Sequence, residues 1–165
     1  MAKYIQRREI RGEDKEFEQK VIEIARVTRV TAGGKRMQFR ACVVVGDKKG
    51  RVGFAVAKGS DVSIAVNKAL TAAKKKLIKA KIVNDTIPHR IIVKFKAARV
   101  LLKPAPAGTG VLAGGPVRAI LDLAGIKNVV SKMMGSKNKI NNAHAVIIAL
   151  SQLRDIKAIR EMRKQ

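Results

Sequence analysis

The strongest constraint on this chain is a large surplus of positive charge carried by a sequence that is apolar enough to fold. The net charge of the 165 residues is +24, and all of it lies between residues 26 and 165, where 30 basic residues outnumber six acidic ones. Apolar residues make up 47% of the chain, which disfavours a wholly disordered basic tail. Because a compact body this basic repels itself, the charge predicts a polyanionic partner, and nucleic acid is the natural one.

Neither solubility nor a membrane surface accounts as well for the charge. Solubility requires a net charge of only about 2–8 for a small domain. A membrane surface would require a basic helix with bulky apolar residues opposite, whereas the lysine-rich helix described below carries mostly Ala and Val there. No apolar run reaches the length of a membrane span, and the N-terminus leads into charges rather than an apolar signal core. We therefore expect no membrane contact and a reducing, cytoplasm-like compartment.

Residue types that carry other chemistries are scarce. Few aromatic residues are present, which argues against a single-strand binder built from stacked rings: Tyr4, Phe17, Phe39, Phe54 and Phe95. One cysteine and two histidines make neither an internal disulfide nor an ordinary zinc site, so no metal is predicted. We predict core packing for Cys42, a surface or edge position for His89 and a half-buried structural position for His144. The scattered acids offer no catalytic carboxylate pair, and we predict that the protein is not an enzyme.

The first half of the chain has the pattern of a sheet. Residues 1–17 are polar and of mixed charge, which predicts a flexible arm. Alternation from Val21 to Val30 predicts a strand, and the paired glycines in 31–36 predict a loop. In a second strand, one set of residues is predicted to face one side of the sheet and a second set the other: Phe39, Ala41, Val43 and Val45, then Arg40, Cys42 and Val44. A hairpin turn at 46–50 leads to a third strand at 51–57.

A change of period then predicts a helix from the Asp61 cap to about Lys79. Its buried stripe is predicted to comprise Val62, Ala65, Val66, Ala69, Leu70, Ala73 and Leu77. Lys68, Lys75 and Lys79 would stack on another side, flanked by Lys74 and Lys76, and anionic neighbours would relieve their repulsion. A plain solvated face would also account for these lysines.

The pattern restarts near residue 80, which predicts a second unit. Strands are predicted at 91–95 and 99–103, followed by a breaker-rich loop up to Gly115. Pro116 suits the first position of a helix that ends at Gly125, and a short strand is predicted at 128–131. The last main helix is predicted to bury Ile140, Ala143, Ile147 and Leu150. The layout is that of two α+β units, followed by a basic tail at 155–165 that is predicted to be helical.

The glycine-rich loop of the second unit admits two chemistries. Gly108-x-Gly110-x-x-Ala113 is similar to a dinucleotide fingerprint, but the helix begins too late and no acidic residue lies about 20 positions on. We therefore predict no cofactor and no small-molecule substrate. Backbone amides near Gly114 and Gly115, at a helix N-terminus, can instead accept a phosphate, with Arg118 one turn further on. A tight turn that needs positive φ is the alternative.

Two stretches are more specific than any of these patterns. They are Val43–Phe54, VVVGDKKGRVGF, and Lys103–Ile126, KPAPAGTGVLAGGPVRAILDLAGI, the latter continuing through Ser131-Lys132 and Gly135–Asn138 to Asn141. Together they resemble the bacterial form of the small-subunit ribosomal protein five family, over about residues 20–153. The family usually has Gly-x-Gly-Lys after the Phe54 position, where this chain has Ala55-Val56-Ala57-Lys58.

The resemblance implies a specific fold. Residues 18–80 would form a unit like a double-stranded-RNA-binding domain that lacks its first helix, with a three-stranded antiparallel sheet and one helix. Residues 81–154 would form a β-α-β-α unit with a left-handed crossover, a hand that general rules disfavour.

The resemblance also implies a place and a set of partners. The protein would be a non-enzymatic constituent of the small ribosomal subunit that binds and stabilises ribosomal RNA, cytoplasmic unless it belongs to an organelle. It would contribute to decoding accuracy near the path by which messenger RNA enters, beside the fourth and eighth small-subunit proteins. The loop Gly108, Thr109 and Gly110 would lie near the fourth protein.

Basic side chains and glycine loops on a rigid scaffold suit A-form RNA, which presents mainly phosphates, 2′-hydroxyls and shape. The residues predicted to contact RNA are Arg26, Arg29, Gly33, Gly34, Lys35, Arg36, Arg40, Lys48, Lys49, Arg51, Lys58, Gly114, Gly115, Arg118, Lys132 and Lys137. Composition alone is also compatible with a free-standing nucleic-acid chaperone or a histone-like DNA binder, and a nucleotide-dependent enzyme is a third class to be tested.

Overall fold

The computed structural model describes residues 17–154, and these residues form two mainly antiparallel sheets and three helices. The predicted arm at 1–17, apart from Phe17, and the predicted tail at 155–165 lie outside these residues. The elements of the first unit are β1 (Glu18–Thr31), β2 (Gly34–Gly46), β3 (Arg51–Gly59), α1 (Val62–Lys74) and β4 (Leu77–Lys79). Those of the second are β5 (Ile91–Phe95), β6 (Ala98–Pro104), β7 (Val111–Leu112), α2 (Gly115–Ala124), β8 (Val129–Gly135) and α3 (Lys139–Gln152). The α+β class is confirmed.

Strand β2 lies in the middle of the molecule, and its two faces are buried against different partners. Ala41, Val43 and Val45 pack with the small residues of α1. Cys42 and Val44, on the opposite face, join the larger core built from the second unit. The alternation predicted for this strand is therefore confirmed, and it is needed because both faces of the sheet are covered.

Helix α1 ends earlier than predicted. Asp61 caps it as expected, its carboxylate accepting the backbone N–H of Val62 at 2.7 Å, but the helix ends at Lys74. Leu77–Lys79 instead forms a fourth strand that pairs with Arg51–Gly53. The prediction of Leu77 in the helix stripe, of Lys79 in the lysine stack and of three strands was wrong, because the open edge of β3 offers backbone hydrogen bonds that a local pattern does not reveal.

The second sheet has the strand order β5-β6-β8-β7, with β7 parallel to β8 and α2 as the crossover between them. Strand β7 lies inside the predicted breaker-rich loop, and β8 is longer than predicted, so both expectations are corrected here. Such a two-residue strand is too short to leave a periodic signal. Helix α2 ends at Gly125, whose φ of 84° confirms the predicted stop.

Helix α3 begins after Asn138, whose side-chain oxygen accepts the N–H groups of Ile140 and Asn141 at 3.0 and 3.2 Å. Ala143 and Leu150 are fully buried as predicted, together with Val146 and Ala149. Ile140 and Ile147 are only partly buried and border the core. The buried face of α3 is therefore rotated slightly from the predicted one. Small residues on that face allow the helix to approach the sheet closely.

The two units share one hydrophobic core, and hydrogen bonds also join them at the turn of residues 46–50, named here the clamped turn. Backbone N–H groups of Lys48 and Gly50 donate to the carbonyls of Leu123 and Ala124, both at 3.0 Å, and tie the β2–β3 turn to the end of α2. Nearby, the His144 ring lies between two phenylalanine rings, 4.8 Å from Phe54 and 4.9 Å from Phe95 between centroids. The sheets are thus held in a fixed relation.

Candidate nucleic-acid interface

The β1–β2 hairpin extends beyond the core as an exposed arm, defined here as residues 26–38. Every residue from Thr28 to Gln38 is exposed, and Val30 keeps 74% of its surface. At the tip the Thr31 hydroxyl donates to the Gly34 carbonyl at 3.1 Å, and Gly34 has a φ of 141° that favours glycine. The predicted loop at 31–36 was too long, because Thr31 ends β1 and Gly34, Lys35 and Arg36 already belong to β2. Gly33, Gly34, Lys35 and Arg36 nevertheless lie together at the end of a two-stranded ribbon.

Cations face cations across this sheet. Arg29 lies directly opposite Arg36, and Arg40 lies directly opposite Lys58. Directly opposed residues share a face, and like charges in such positions destabilise a sheet. Among the described residues, no acidic side chain forms an ion pair with Arg29, Arg36 or Lys58. An arrangement that costs stability in the isolated chain is favourable when polyanions lie against it.

The two faces of the arm differ. Arg29 and Arg36 share one face, whereas Lys35 shares the other with Val30 and Met37, which follows from the pairing of Val30 with Lys35 and of Thr28 with Met37. Arg26 belongs to the second face because it pairs with Phe39. Both faces therefore carry cations, so an RNA segment could be contacted on either side of the arm.

Some predicted contacts are occupied within the protein. Arg40 lies 3.7 Å from Glu23, which also pairs with Lys139 at 3.4 Å. Lys48 pairs with Glu18 at 2.5 Å. Glu23 and Lys139 lie more than a hundred positions apart in sequence, so a local pattern could not identify this pair, and Lys139 was missed as a member of the basic surface.

The β2–β3 turn presents Lys49 from a rigid frame. The Asp47 carboxylate accepts the N–H groups of Lys49 and Arg51 at 2.8 and 2.9 Å and the Arg51 Nε at 2.6 Å. Burial opposes ionisation of Asp47, but the hydrogen bonds from Arg51 and from the two backbone N–H groups prevail and lower its pKa. Arg51 also lies over the Phe17 ring at 5.0 Å. Arg51 therefore holds the turn through its hydrogen bonds although 47% of its side chain is exposed, and Lys49 is exposed without an acidic partner among the described residues.

A groove of about 790 Å³ in the second unit brings together Gly114, Lys132 and Lys137, with Lys139 beside them. Gly114 has a φ of −69°, so the alternative of a turn that needs positive φ is wrong there. A Cβ at this position would meet only the flexible end of the Met133 side chain, so lack of space does not by itself require the glycine. Gly115 begins α2, and Arg118 is exposed and lies 3.8 Å from Asp122. A phosphate at this helix end stays a prediction.

The Gly108–Gly110 loop is held from inside. Both glycines have positive φ, 91° and 73°, and their N–H groups donate to the buried Asn128 side chain at 3.1 Å. Thr109 lies between them, partly exposed. The amides are thus used in shaping the loop, and its role as a protein interface stays a prediction.

Cys42 and the histidines occupy structural positions. Burial raises the pKa of the Cys42 thiol to about 12, which suits core packing and not nucleophilic chemistry. His89 is partly exposed and its Nε2 accepts the N–H of Arg154 at 3.1 Å. Within residues 17–154, no three His, Cys, Asp or Glu residues are grouped so as to hold a metal ion. No helix among these residues is long and apolar enough to cross a membrane.

His144 predicts a pH-dependent stability. Burial is the main cause that lowers its pKa, and the neighbouring cations Lys76 and Lys96 add to it. The folded protein therefore favours the neutral ring, and we expect its contribution to stability to be complete above about pH 6.5 and to be lost as the pH falls. Urea unfolding measured across this range should show the loss, and His144→Phe should reduce it. An unchanged pH dependence in that variant would contradict the assignment.

The fold and its surface define a class: a basic α+β nucleic-acid-binding protein in which two sheets share a core and a cationic hairpin extends from one of them. Residues 17–81 match the family described as ribosomal protein S5, N-terminal domain, and residues 93–163 match ribosomal protein S5, C-terminal domain. The chain belongs to the ribosomal protein S5 family.

Proteins that are similar in sequence to this chain agree with the assignment to this family. The chain is 47% identical to small ribosomal subunit protein uS5 of Thermotoga neapolitana over 156 residues, which cover 94% of this chain and 86% of that protein. It is 48% identical to uS5 of Hydrogenobaculum sp. over 151 residues, covering 92% and 80% of the two chains. It is 50% identical to small ribosomal subunit protein uS5c of Emiliania huxleyi over 140 residues, covering 84% and 88%.

Proposed function

We propose that this protein is a structural, non-enzymatic constituent of the small ribosomal subunit that binds ribosomal RNA and stabilises its folded segments. The family supports the place in the subunit. The observation that carries the RNA contact is the cross-strand pairing of Arg29 with Arg36 on an exposed arm. Cations fixed in mutual repulsion suit a site where phosphates converge, because each contact also releases condensed counterions.

The arm is proposed as the principal RNA contact. Its tip carries Lys35 and Arg36 beside Gly33 and Gly34, and Arg26 and Arg29 extend the charge toward the body. Lys58 continues it along the sheet, and Arg40, which lies opposite Lys58, also lies 3.7 Å from Glu23 and is a secondary contact. Lys49 at the clamped turn, and Lys132, Lys137 and the Gly114 helix end in the second unit, are proposed as further contacts. Lys48, Arg51 and Arg118, which pair with acidic side chains, are proposed as secondary contacts made by their exposed parts.

Finer aspects of the role follow from the resemblance of Lys103–Asn141 to the family. We propose that the protein contributes to decoding accuracy near the path of messenger RNA. We also propose that the Gly108–Gly110 loop contacts the fourth small-subunit protein, and that the eighth is a further neighbour. The division into a unit at 18–80 and a unit at 81–154 is retained as a proposal about separate RNA contacts.

The proposed function is tested by the salt dependence of RNA binding and by sedimentation. We expect the affinity for small-subunit ribosomal RNA to fall steeply and linearly on logarithmic axes as salt rises, and the protein in a lysate to travel with small subunits. A nearly flat salt dependence would contradict the RNA contact. Sedimentation with the nucleoid would instead support the histone-like alternative.

A further inference from the structure

The loop at residues 108–110 takes its shape from one buried side chain. We propose that Asn128 positions the Gly108–Gly110 loop for the protein neighbour that docks there, and that the turn at residues 83–86 in turn positions Asn128. The inference rests on the proposed function for the neighbour, and it extends that function by naming the residues that hold the docking surface. Neither Asn128 nor the turn belongs to the residues proposed above for RNA.

A single side-chain atom holds two amides of the loop. The Asn128 Oδ1 accepts the N–H groups of Gly108 and Gly110, each at 3.1 Å, and Asn128 is only 7% exposed. The Val129 N–H donates to the Gly110 carbonyl at 3.1 Å and fixes the loop from the same side. Without the Asn128 acceptor the two N–H groups would have only water as a partner, and the loop could take other shapes.

The two glycines serve the backbone and do not fill a tight space. Their φ values of 91° at Gly108 and 73° at Gly110 lie in the region that favours glycine. Nothing lies within 4 Å of the place where a Cβ would stand at either residue. Because glycine has more conformations to lose than other residues, such a loop is costly to order when a partner binds. Asn128 orders it beforehand, which lowers the entropy lost in docking.

The segment that connects the two sheets holds the backbone of Asn128. The Asp85 carbonyl accepts the N–H groups of Lys127 and Asn128, both at 3.0 Å. Asp85 lies in the turn at 83–86, whose end residues exchange two backbone hydrogen bonds at 2.9 and 3.0 Å. Asn84 and Asp85 have positive φ values of 52° and 61°, so the turn depends on residues that tolerate this region.

The same turn also holds the chain that leads into the loop. The Thr86 Oγ1 accepts the N–H of Ala105 at 3.2 Å, three residues before Gly108. The turn therefore binds both the approach to the loop and the residue that anchors it. A change in the shape of the turn is expected to reach the loop through Asn128.

Amide hydrogen exchange in the full-length protein tests the positioning role. Asn128→Leu keeps a branched side chain but removes the acceptor, and exchange at the Gly108 and Gly110 amides should accelerate by about tenfold, as expected for one lost hydrogen bond. Asn128→Asp keeps an oxygen acceptor and should restore slow exchange. If the acceleration in Asn128→Leu is no larger than that at the amide of the buried Val44, the variant is generally destabilised and the proposal is overturned. Failure of Asn128→Asp to restore slow exchange would overturn it as well.

A matched pair of variants at Asp85 tests the role of the turn. Asp85→Gly and Asp85→Val both remove the ion pair with the Lys127 Nζ at 3.2 Å. Glycine keeps the positive φ accessible, whereas a β-branched residue disfavours it. Exchange at Gly108 and Gly110 should therefore accelerate in Asp85→Val and stay within a few-fold of the unmodified protein in Asp85→Gly. Equal exchange in the two variants would overturn the link between the turn and the loop.

Crosslinking in small subunits separates this inference from the proposed function. Thr109→Cys places a thiol on the partly exposed loop for a cysteine-directed photocrosslinker, while Cys42 is buried. We expect a crosslink to the fourth small-subunit protein that becomes several-fold weaker when Asn128→Leu is added and recovers with Asn128→Asp. Equal crosslinking in all three backgrounds would overturn the role of Asn128 and leave the proposed neighbour standing. Exchange that responds as expected, with no crosslink to that protein in any background, would support the positioning and reject the proposed neighbour.

Discussion

The variant R29Q/K35Q/R36Q is expected to bind small-subunit ribosomal RNA about 100-fold more weakly than the unmodified protein at physiological salt. The three side chains lie on both faces of an exposed arm. No acidic side chain among the described residues forms an ion pair with any of them, so their replacement breaks no such pair. Counterion release supplies most of such a contact, so the logarithmic salt slope should also fall by about 2–3. Binding measured over a series of salt concentrations yields both quantities.

The matched control for the arm is R90Q/K94Q/K103Q, which removes the same charge from exposed positions on or next to β5 and β6 and leaves Arg99 in place. A general effect of net charge would weaken RNA binding equally in the two variants. A specific contact would leave the control within a few-fold of the unmodified protein. Equal loss in both variants would therefore remove the arm from the interface.

The stability of the arm variant should move in the opposite direction to its affinity. Arg29 and Arg36 face each other across the ladder, and removal of two like charges relieves about 0.2–1 kcal/mol of repulsion in the unbound protein. The same substitutions thus stabilise the isolated chain and weaken the complex. This opposition is characteristic of side chains retained for a ligand and not for folding.

Strand positions and faces could be predicted because they depend on a local period. The alternation of Val43 and Val45 with Cys42 and Val44 is visible in the sequence and decides which side each residue faces. The end of α1 could not be predicted in the same way. Leu77 continues the helical spacing, but its backbone gains more from pairing with Gly53 at an open sheet edge.

The residues of the site likewise differ in whether a local sequence pattern could predict them. Net charge indicated a polyanion and the glycine loop indicated the tip of the arm, because composition and a short motif are both visible without knowledge of the fold. The pairing of Lys48 with Glu18 depends on strand register, and the meeting of Lys49 with Lys81 depends on how β4 joins the sheet. Contacts between residues far apart in sequence determine which cations are available to RNA, and a local sequence pattern does not reveal them.

The largest effect on folding is expected for Phe54→Ala. Phe54 is 5% exposed, it packs in the core shared by the two units, and its ring lies edge-on to His144 at 4.8 Å. Truncation of a buried phenylalanine costs about 3–5 kcal/mol, a large part of the roughly 5–15 kcal/mol that stabilises a typical domain. Urea unfolding monitored by circular dichroism should show this loss in the free energy of unfolding.

A second prediction concerns the number of steps in the unfolding transition of Phe54→Ala. Because Phe54 belongs to the first sheet and His144 to the last helix, the shared core couples the units, and the variant should still unfold in one step with a lower midpoint. Ile92→Ala is the matched control, since Ile92 is 48% exposed and its truncation should change stability by only about 0.5 kcal/mol. Two separate transitions, one of them at the original midpoint, would mean that the units fold independently.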